Sequence, residues 1–216
     1  MKMWKVPIQD ILPSTSTGDV ILMAGEFPWS HAIELWEHSH YTHCGMVVRS
    51  SEMGFPKGTP EYLLWESNPL TNLPDFNHKK KGTSGPMLVD LRRRIETNQQ
   101  YYKHAMFAFR HFHGLALTAE IVTKLESYFR LLHDKTFPDD LTMLKYLIEG
   151  RYEDETADPR KFFCSELLSA TFMHLGYLSQ LYPANAYEPA DFSRKGRVCF
   201  LHRCFLGDEI RIDAGP

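Results

Sequence analysis

Cysteine is scarce in this chain. Four residues in 216, at positions 44, 164, 199 and 204, form no CxxC pair. That spread excludes a zinc ribbon and a disulfide-stapled framework, and it fits reduced thiols. Cys199 and Cys204 flank a strand-like stretch and are the one pair that an oxidising compartment could join. The common signatures of other chemistries are missing as well. There is no HExxH, no G-x-S-x-G elbow, no Walker loop and no dinucleotide fingerprint. Zincin, serine-hydrolase, NTPase and nicotinamide readings therefore have no carrier, and no cofactor is expected. Charge of one sign is not in excess: 24 Lys and Arg stand against 27 Asp and Glu, a net of −3. Nothing pulls the whole chain toward nucleic acid or an anionic membrane. The basic runs Lys79-Lys80-Lys81 and Arg92-Arg93-Arg94 are short and read as solvated loop or helix-end surface. Aromatic residues at 101, 102, 107, 109 and 112 have no companion basic face, so they are assigned to the core and no nucleic-acid partner is expected. No apolar run approaches the roughly 20 residues that span a bilayer. After Lys2 and Lys5, Asp10 and Pro13 interrupt any signal-peptide core. The expectation is a soluble, cytoplasmic protein without stable membrane insertion. With no repeat, low-complexity tract or compositional break, residues 1–216 are expected to form a single domain.

The patterning that is present is mixed. Strands are read over Gly18–Met23, Tyr41–Arg49, Tyr62–Ser67, Gly85–Leu91 and Tyr102–Phe109, and near the end over Val198–Leu206 and Glu209–Ile212. Helices are read over Trp29–His38, from Thr118 through His133, over Asp140–Glu149 with Gly150 closing it, and from Cys164 to Leu175 with Gly176 as the stop. The segment Arg92–Thr97 is left unassigned. Early strands, a few helices and two late strands indicate an α+β domain with a mostly antiparallel sheet packed against helices.

Cys164 opens the run Cys164-Ser165-Glu166-Leu167-Leu168, and the apolar positions that follow recur at helical spacing. The thiol thus sits on a buried stripe at a helix N-terminus. The helix dipole favours thiolate there, and first-turn N–H groups can receive an oxyanion. His43, in Tyr41-Thr42-His43-Cys44-Gly45-Met46-Val47-Val48, lies on a buried strand. Alternation puts His43, Gly45 and Val47 on one face and Cys44, Met46 and Val48 on the other. Gly45 leaves room beside His43 for a helix terminus or a substrate. His43 and Cys44 point apart, so they are neither a nucleophile–base pair nor two ligands of one ion. The cluster His38, His40, His43 and Cys44 and the pair His111 and His113 suggest zinc by composition, but no metal site is expected from that geometry. Glu66 ends the apolar strand Tyr62-Leu63-Leu64-Trp65 and can accept the imidazole N–H if its strand pairs with that of His43. Asp19, Asp75 and Asp90 are the other acids able to do so. Bland readings stand beside each of these: a buried cysteine is often a small hydrophobe, and a strand histidine is often structural.

Taken together, several segments resemble the permuted branch of the NlpC-type papain-fold cysteine peptidases, close to the YiiX-like group, with lecithin:retinol acyltransferase relatives more distant. Gly18-Asp19-Val20-Ile21-Leu22 is similar to that family's opening strand. Tyr41-Thr42-His43-Cys44-Gly45-Met46 is similar to its histidine strand, Trp65-Glu66 to the next strand, Phe163-Cys164-Ser165-Glu166-Leu167 to its cysteine helix, and Pro189-Ala190-Asp191 to the segment that follows. The resemblance implies a circularly permuted papain-like fold, in which the region of about 70–161 diverges. It implies Cys164 as nucleophile, His43 as base and Glu66 as the orienting acid. Tyr41, two residues before His43, is carried over as a substrate-lining residue.

The function expected from residues and resemblance together is a cysteine-dependent hydrolase of a peptide or amide acyl bond, working through a thioester. The alternatives are a lipid-directed acyl hydrolase or acyltransferase on the same triad, and a non-catalytic papain-like binding scaffold.

Overall fold

The computed structural model describes residues 5–25, 41–77, 84–102, 104–196 and 198–213. The helix expected over Trp29–His38 and the basic run at 79–81 lie outside them. The strands are β1 (Lys5–Pro7), β2 (Val20–Ala24), β3 (His43–Arg49), β4 (Tyr62–Asn68), β5 (Gly85–Asp90), β6 (Met106–Arg110), β7 (Phe112–His113), β8 (Phe205–Leu206) and β9 (Ile210–Asp213). The α-helices are α1 (Ile8–Ile11), α2 (Ser50–Met53), α3 (Leu91–Tyr101), α4 (Ala119–Leu132), α5 (Asp140–Tyr152) and α6 (Cys164–His174). Seven strands form one sheet in the order β1-β9-β6-β2-β3-β4-β5, and β7 pairs with β8 apart from it. Every pairing is antiparallel except β1 with β9. The chain is a mixed α+β structure with a mostly antiparallel sheet.

Both faces of the sheet are covered, which is why its central strands read as unbroken apolar runs and not as alternations. All five residues of β2 are buried. Val20, Leu22, Cys44, Met46, Leu63 and Trp65 face one apolar cluster with Leu125 and Phe129 of α4 and Leu167, Leu168 and Phe172 of α6. Ile21, Met23, Val47, Leu64, Met87 and Val89 face a second cluster with Ile11 of α1 and Leu91 and Ile95 of α3. Burying side chains of this size contributes about 1.5–3 kcal/mol each, so the two layers anchor α6 and α3 against opposite faces.

Several boundaries differ from the sequence expectation. The unassigned stretch after β5 is the helix α3, capped by the Asp90 side chain, which accepts from the Arg93 N–H. Its inward stripe is Leu91, Arg94, Ile95 and Asn98, all buried. Two polar members in that stripe hide its helical period. The same segment carries a correction: Arg94, expected on the surface with Arg92 and Arg93, is 0% exposed. The strand expected over Tyr102–Phe109 starts only at Met106, because α3 runs to Tyr101. Helix α5 passes through Gly150 and does not stop there; a Cβ at that position would meet Asn185 Nδ2 at 2.6 Å. Glycine is needed for close approach and not for termination. Gly176, after α6, does have the left-handed conformation that a helix stop uses (φ +81°). The strand expected over Val198–Leu206 shrinks to Phe205–Leu206 plus an isolated bridge of Phe200 to Leu178.

Candidate active site

The site forms where two central strands part company. The β3–β4 ladder runs from Arg49↔Tyr62 to Met46↔Trp65. Beyond that point His43–Gly45 pairs with β2, and Glu66–Asn68 pairs with β5. At this opening Ser67 Oγ donates to the Phe162 carbonyl at 2.5 Å, fastening the segment that leads into α6. Further along, Trp65 Nε1 donates to Thr171 Oγ1 at 3.0 Å. These bonds and the burial of Leu167, Leu168 and Phe172 hold the first residue of α6, Cys164, against the open ends of β3 and β4. The helix also begins on a partial cap: Glu166 Oε2 accepts the Phe163 N–H at 3.3 Å.

His43 and Glu66 meet as the strand reading requires. His43 Nε2 donates to Glu66 Oε2 at 2.6 Å. The Cys164 sulfur lies near enough to the same imidazole for each group to shift the ionisation of the other. With Nε2 committed to Glu66, Nδ1 is the ring nitrogen that remains to face a nucleophile. The three candidate residues therefore form one relay in the order sulfur, imidazole, carboxylate. Asp19, Asp75 and Asp90 lie elsewhere. Asp19 bonds the Ser16 and Phe112 amides and His111, Asp75 bonds the Asn77 and Leu88 amides, and Asp90 caps α3.

Two further residues act on this relay. Arg94 Nε donates to Glu66 Oε1 at 2.5 Å, and both side chains are 0% exposed. Asn68 Nδ2 donates to Glu66 Oε2 at 3.2 Å. Burial pushes the Glu66 carboxyl up. The Arg94 guanidinium, with the His43 and Asn68 hydrogen bonds, overcomes this and holds it at about 2. Glu66 is thus a fixed anion. Burial depresses the imidazole of His43, but the charge and hydrogen bond of Cys164, with those of Glu66, raise it to about 10. The Cys164 thiol is held well below its ordinary range. The Cys44 thiol donates to its sulfur, burial opposes ionisation, and the charge and hydrogen bond of His43 and the Cys44 backbone N–H favour it. Both directions favour the thiolate–imidazolium form of the pair, with a carboxylate behind it.

The cysteine helix packs on the face of β3 opposite to the one expected. The strand does turn Cys44 away from the His43 face, but α6 packs on the Cys44 face, in the cluster shared by Cys44 and Cys164. His43 reaches the sulfur from the end of β3. The room expected beside Gly45 is taken by β4, since a Cβ there would meet Leu64 Cδ1 and the Trp65 carbonyl oxygen, each at 2.8 Å. Arg94 was legible only as a surface charge. The spacing Leu91, Arg94, Ile95, Asn98 is the one signal that could have placed it inward.

Tyr41 is buried, and its hydroxyl donates to Glu209 Oε1 at 2.6 Å. It does not line the small crevice of about 10 Å³ beside His43, whose walls include Met23, Thr42, Asn68, Asn98 and Tyr102. Thr42 Oγ1 and Asn98 Oδ1 on those walls have no hydrogen-bond partner. Among the described residues, no group of three or more His, Cys, Asp and Glu side chains is arranged to hold a metal ion.

No family model matches the sequence, and no curated protein matches it. One similar solved structure is that of the metalloprotein YiiX from Escherichia coli O157:H7, with a TM-score of 0.46 and 19% identity. The match covers 74% of this chain and 66% of that one, just under two thirds of its length.

Proposed function

We propose that the chain is a cysteine-dependent hydrolase of an acyl bond, with a peptide or amide as substrate, in a circularly permuted papain-like frame of the NlpC type. The observation that carries this reading is the relay from Cys164 through His43 to Glu66. Three residues scattered over 120 positions of sequence converge, and their charges suit nucleophilic attack. The Cys164 thiolate attacks the carbonyl. First-turn amides of α6, which have no intrahelical acceptor, receive the oxyanion. The imidazolium of His43 gives its Nδ1 proton to the leaving nitrogen, and a thioester forms on Cys164. His43, now neutral, takes a proton from water, which cleaves the thioester and restores the thiolate. Glu66 keeps the ring in register and stabilises its cation throughout.

The test is a substrate screen over peptides, acyl amides and phospholipids, run with the native chain and with Cys164→Ala. Turnover of a peptide or amide that Cys164→Ala abolishes, with folding stability little changed, is the expected result. Turnover retained in Cys164→Ala reassigns the nucleophile, and turnover of phospholipid alone moves the reading to lipid acyl chemistry. A native chain that reacts with no substrate and no faster with iodoacetamide than an unactivated thiol would leave a binding scaffold.

A further inference from the structure

Helix α5 carries apolar side chains that lie outside the core. Leu141, Leu144, Ile148 and Tyr152 follow one another at i, i+3, i+7 and i+11. At about 100° per residue they share one face, spread over about 80° of arc, and Gly150 lies on the opposite face. The helix is attached from the glycine side. A Cβ at Gly150 would meet Asn185, and Asn185 Nδ2 donates to the Tyr146 carbonyl at 2.6 Å. From the flank, Arg151 Nη1 lies 3.1 Å from Glu188 Oε1 and 3.2 Å from Asp191 Oδ2. The apolar face has no such cover. Leu141 is 81% exposed, Tyr152 67% and Leu144 40%. No side chain of α5 belongs to either apolar cluster beside the sheet. Leu141, Leu144 and Ile148 line a shallow groove of about 350 Å³ along the helix, and Glu149 and Glu153 border it.

The charge around the groove decides what fits it. Residues 139–161 carry seven acids and four bases. Each base is already paired: Lys145 with Glu149, Arg151 with Glu188 and Asp191, Arg160 with Asp158, and Lys161 with Asp139. Asp140, Glu153, Asp154 and Glu155 are exposed and have no cationic partner among the described residues. A second copy on this face would set these acids against their own kind, and an anionic lipid surface would repel them. We propose that this face of α5 is a docking site for an amphipathic helix of a partner protein, with leucine-like side chains filling the groove and lysine or arginine flanking them against Glu153, Asp154 and Glu155. Apolar burial supplies the affinity, and charge pairing sets the orientation and makes association salt-dependent. The face shares no residue with Cys164, His43 and Glu66, so it stands apart from the hydrolase reading.

The test measures binding of the whole chain to a fluorescein-labelled helical peptide of leucine and lysine, with leucine at i, i+3, i+4 and i+7, by fluorescence anisotropy. A peptide with glutamate in place of lysine is the charge control. The leucine–lysine peptide should bind about tenfold or more tightly than the control, and more weakly as salt rises. Leu141→Gln combined with Leu144→Gln should weaken binding about tenfold or more. Glu153→Gln combined with Asp154→Asn should weaken it and flatten the salt dependence. All four positions are exposed, so melting temperatures should stay at the native value. The proposal is overturned if neither peptide binds, if the two bind equally, or if the Leu141→Gln, Leu144→Gln chain binds like the native one. Sedimentation and vesicle flotation test the other occupants. A dimer that the two leucine substitutions dissolve would assign the face to a second copy. Binding to phosphatidylcholine or phosphatidylglycerol vesicles that they abolish would assign it to a lipid surface. Either result overturns the proposal.

Discussion

At the scale of single residues, the site is governed by charges that burial would ordinarily forbid. Glu66 and Arg94 are both fully buried, and the guanidinium keeps the carboxylate ionised. Removing one member of such a pair leaves an uncompensated charge, at a cost of about 3–5 kcal/mol. Arg94→Met should therefore lower the melting temperature substantially, and adding Glu66→Gln should recover part of the loss. If Arg94→Met leaves both stability and the pH profile of Cys164 alkylation unchanged, the guanidinium does not act through Glu66. A second expectation concerns reactivity. At mildly acidic pH iodoacetamide should label Cys164 ahead of Cys44, Cys199 and Cys204, because the Cys164 thiol is held below the ordinary range. Peptide mapping after brief labelling would refute this by showing Cys199, the exposed thiol, modified first.

At the scale of elements, close approach matters more than intrinsic preference. Replacing a helix-interior glycine by alanine ordinarily stabilises by about 0.5–1 kcal/mol. Gly150 of α5 is an exception, since a Cβ would lie 2.6 Å from Asn185 Nδ2 and 2.8 Å from the Ala186 amide nitrogen. That amide of Asn185 donates to the Tyr146 and Glu155 carbonyls, so it is not free to yield. Gly150→Ala should destabilise by about 1–3 kcal/mol, measured by urea unfolding; a rise in stability would show that α5 can slide away. Other elements show why part of the fold was legible. The amphipathic stripe of α4 (Ile121, Leu125, Tyr128, Phe129 and Leu132) is wholly apolar or aromatic, and its period stands out. In α3 the stripe includes Arg94 and Asn98, which exist to serve Glu66 and the crevice, so the same period disappears from view.

At the scale of the whole molecule, the buried titratable groups set the pH at which the fold is most stable. Counting protons decides the direction. Glu66, held at about 2, contributes fully above the ordinary carboxylate pKa of about 4.3 and loses that contribution as pH falls toward 2. The Cys164–His43 pair holds one proton where the unfolded chain holds two below about pH 6.5, one between about 6.5 and 8.5, and none above. While Cys164 is ionised, stability from the pair thus rises to about pH 6.5, stays level, and falls above about 8.5 until His43 deprotonates near 10. Glu166 runs the other way. Burial raises its carboxyl to about 8, so its contribution is full below about pH 4.3 and is lost on the way up. For these groups taken together the sum is a maximum between about pH 4.5 and 6.5. Glu166→Gln should remove the opposing slope and carry the maximum up toward about pH 8.5. Melting temperatures of both proteins across pH 3 to 10 test this, and identical profiles would refute it. Among the described residues no helix is long and apolar enough to cross a membrane.

The sequence by itself determined the strands around His43 and Glu66 and the helix that begins at Cys164, and it offered a candidate nucleophile, a candidate base and four candidate acids. Those follow from local period, capping and side-chain chemistry, which a short window of residues contains. Only the tertiary structure decided which acid of four reaches the imidazole, that α6 packs on the Cys44 face, that Arg94 turns inward, and that Tyr41 bonds Glu209. Each depends on where two strands separate and what fills the opening. That is settled by burial and charge pairing between segments far apart in the chain, and no local pattern records it.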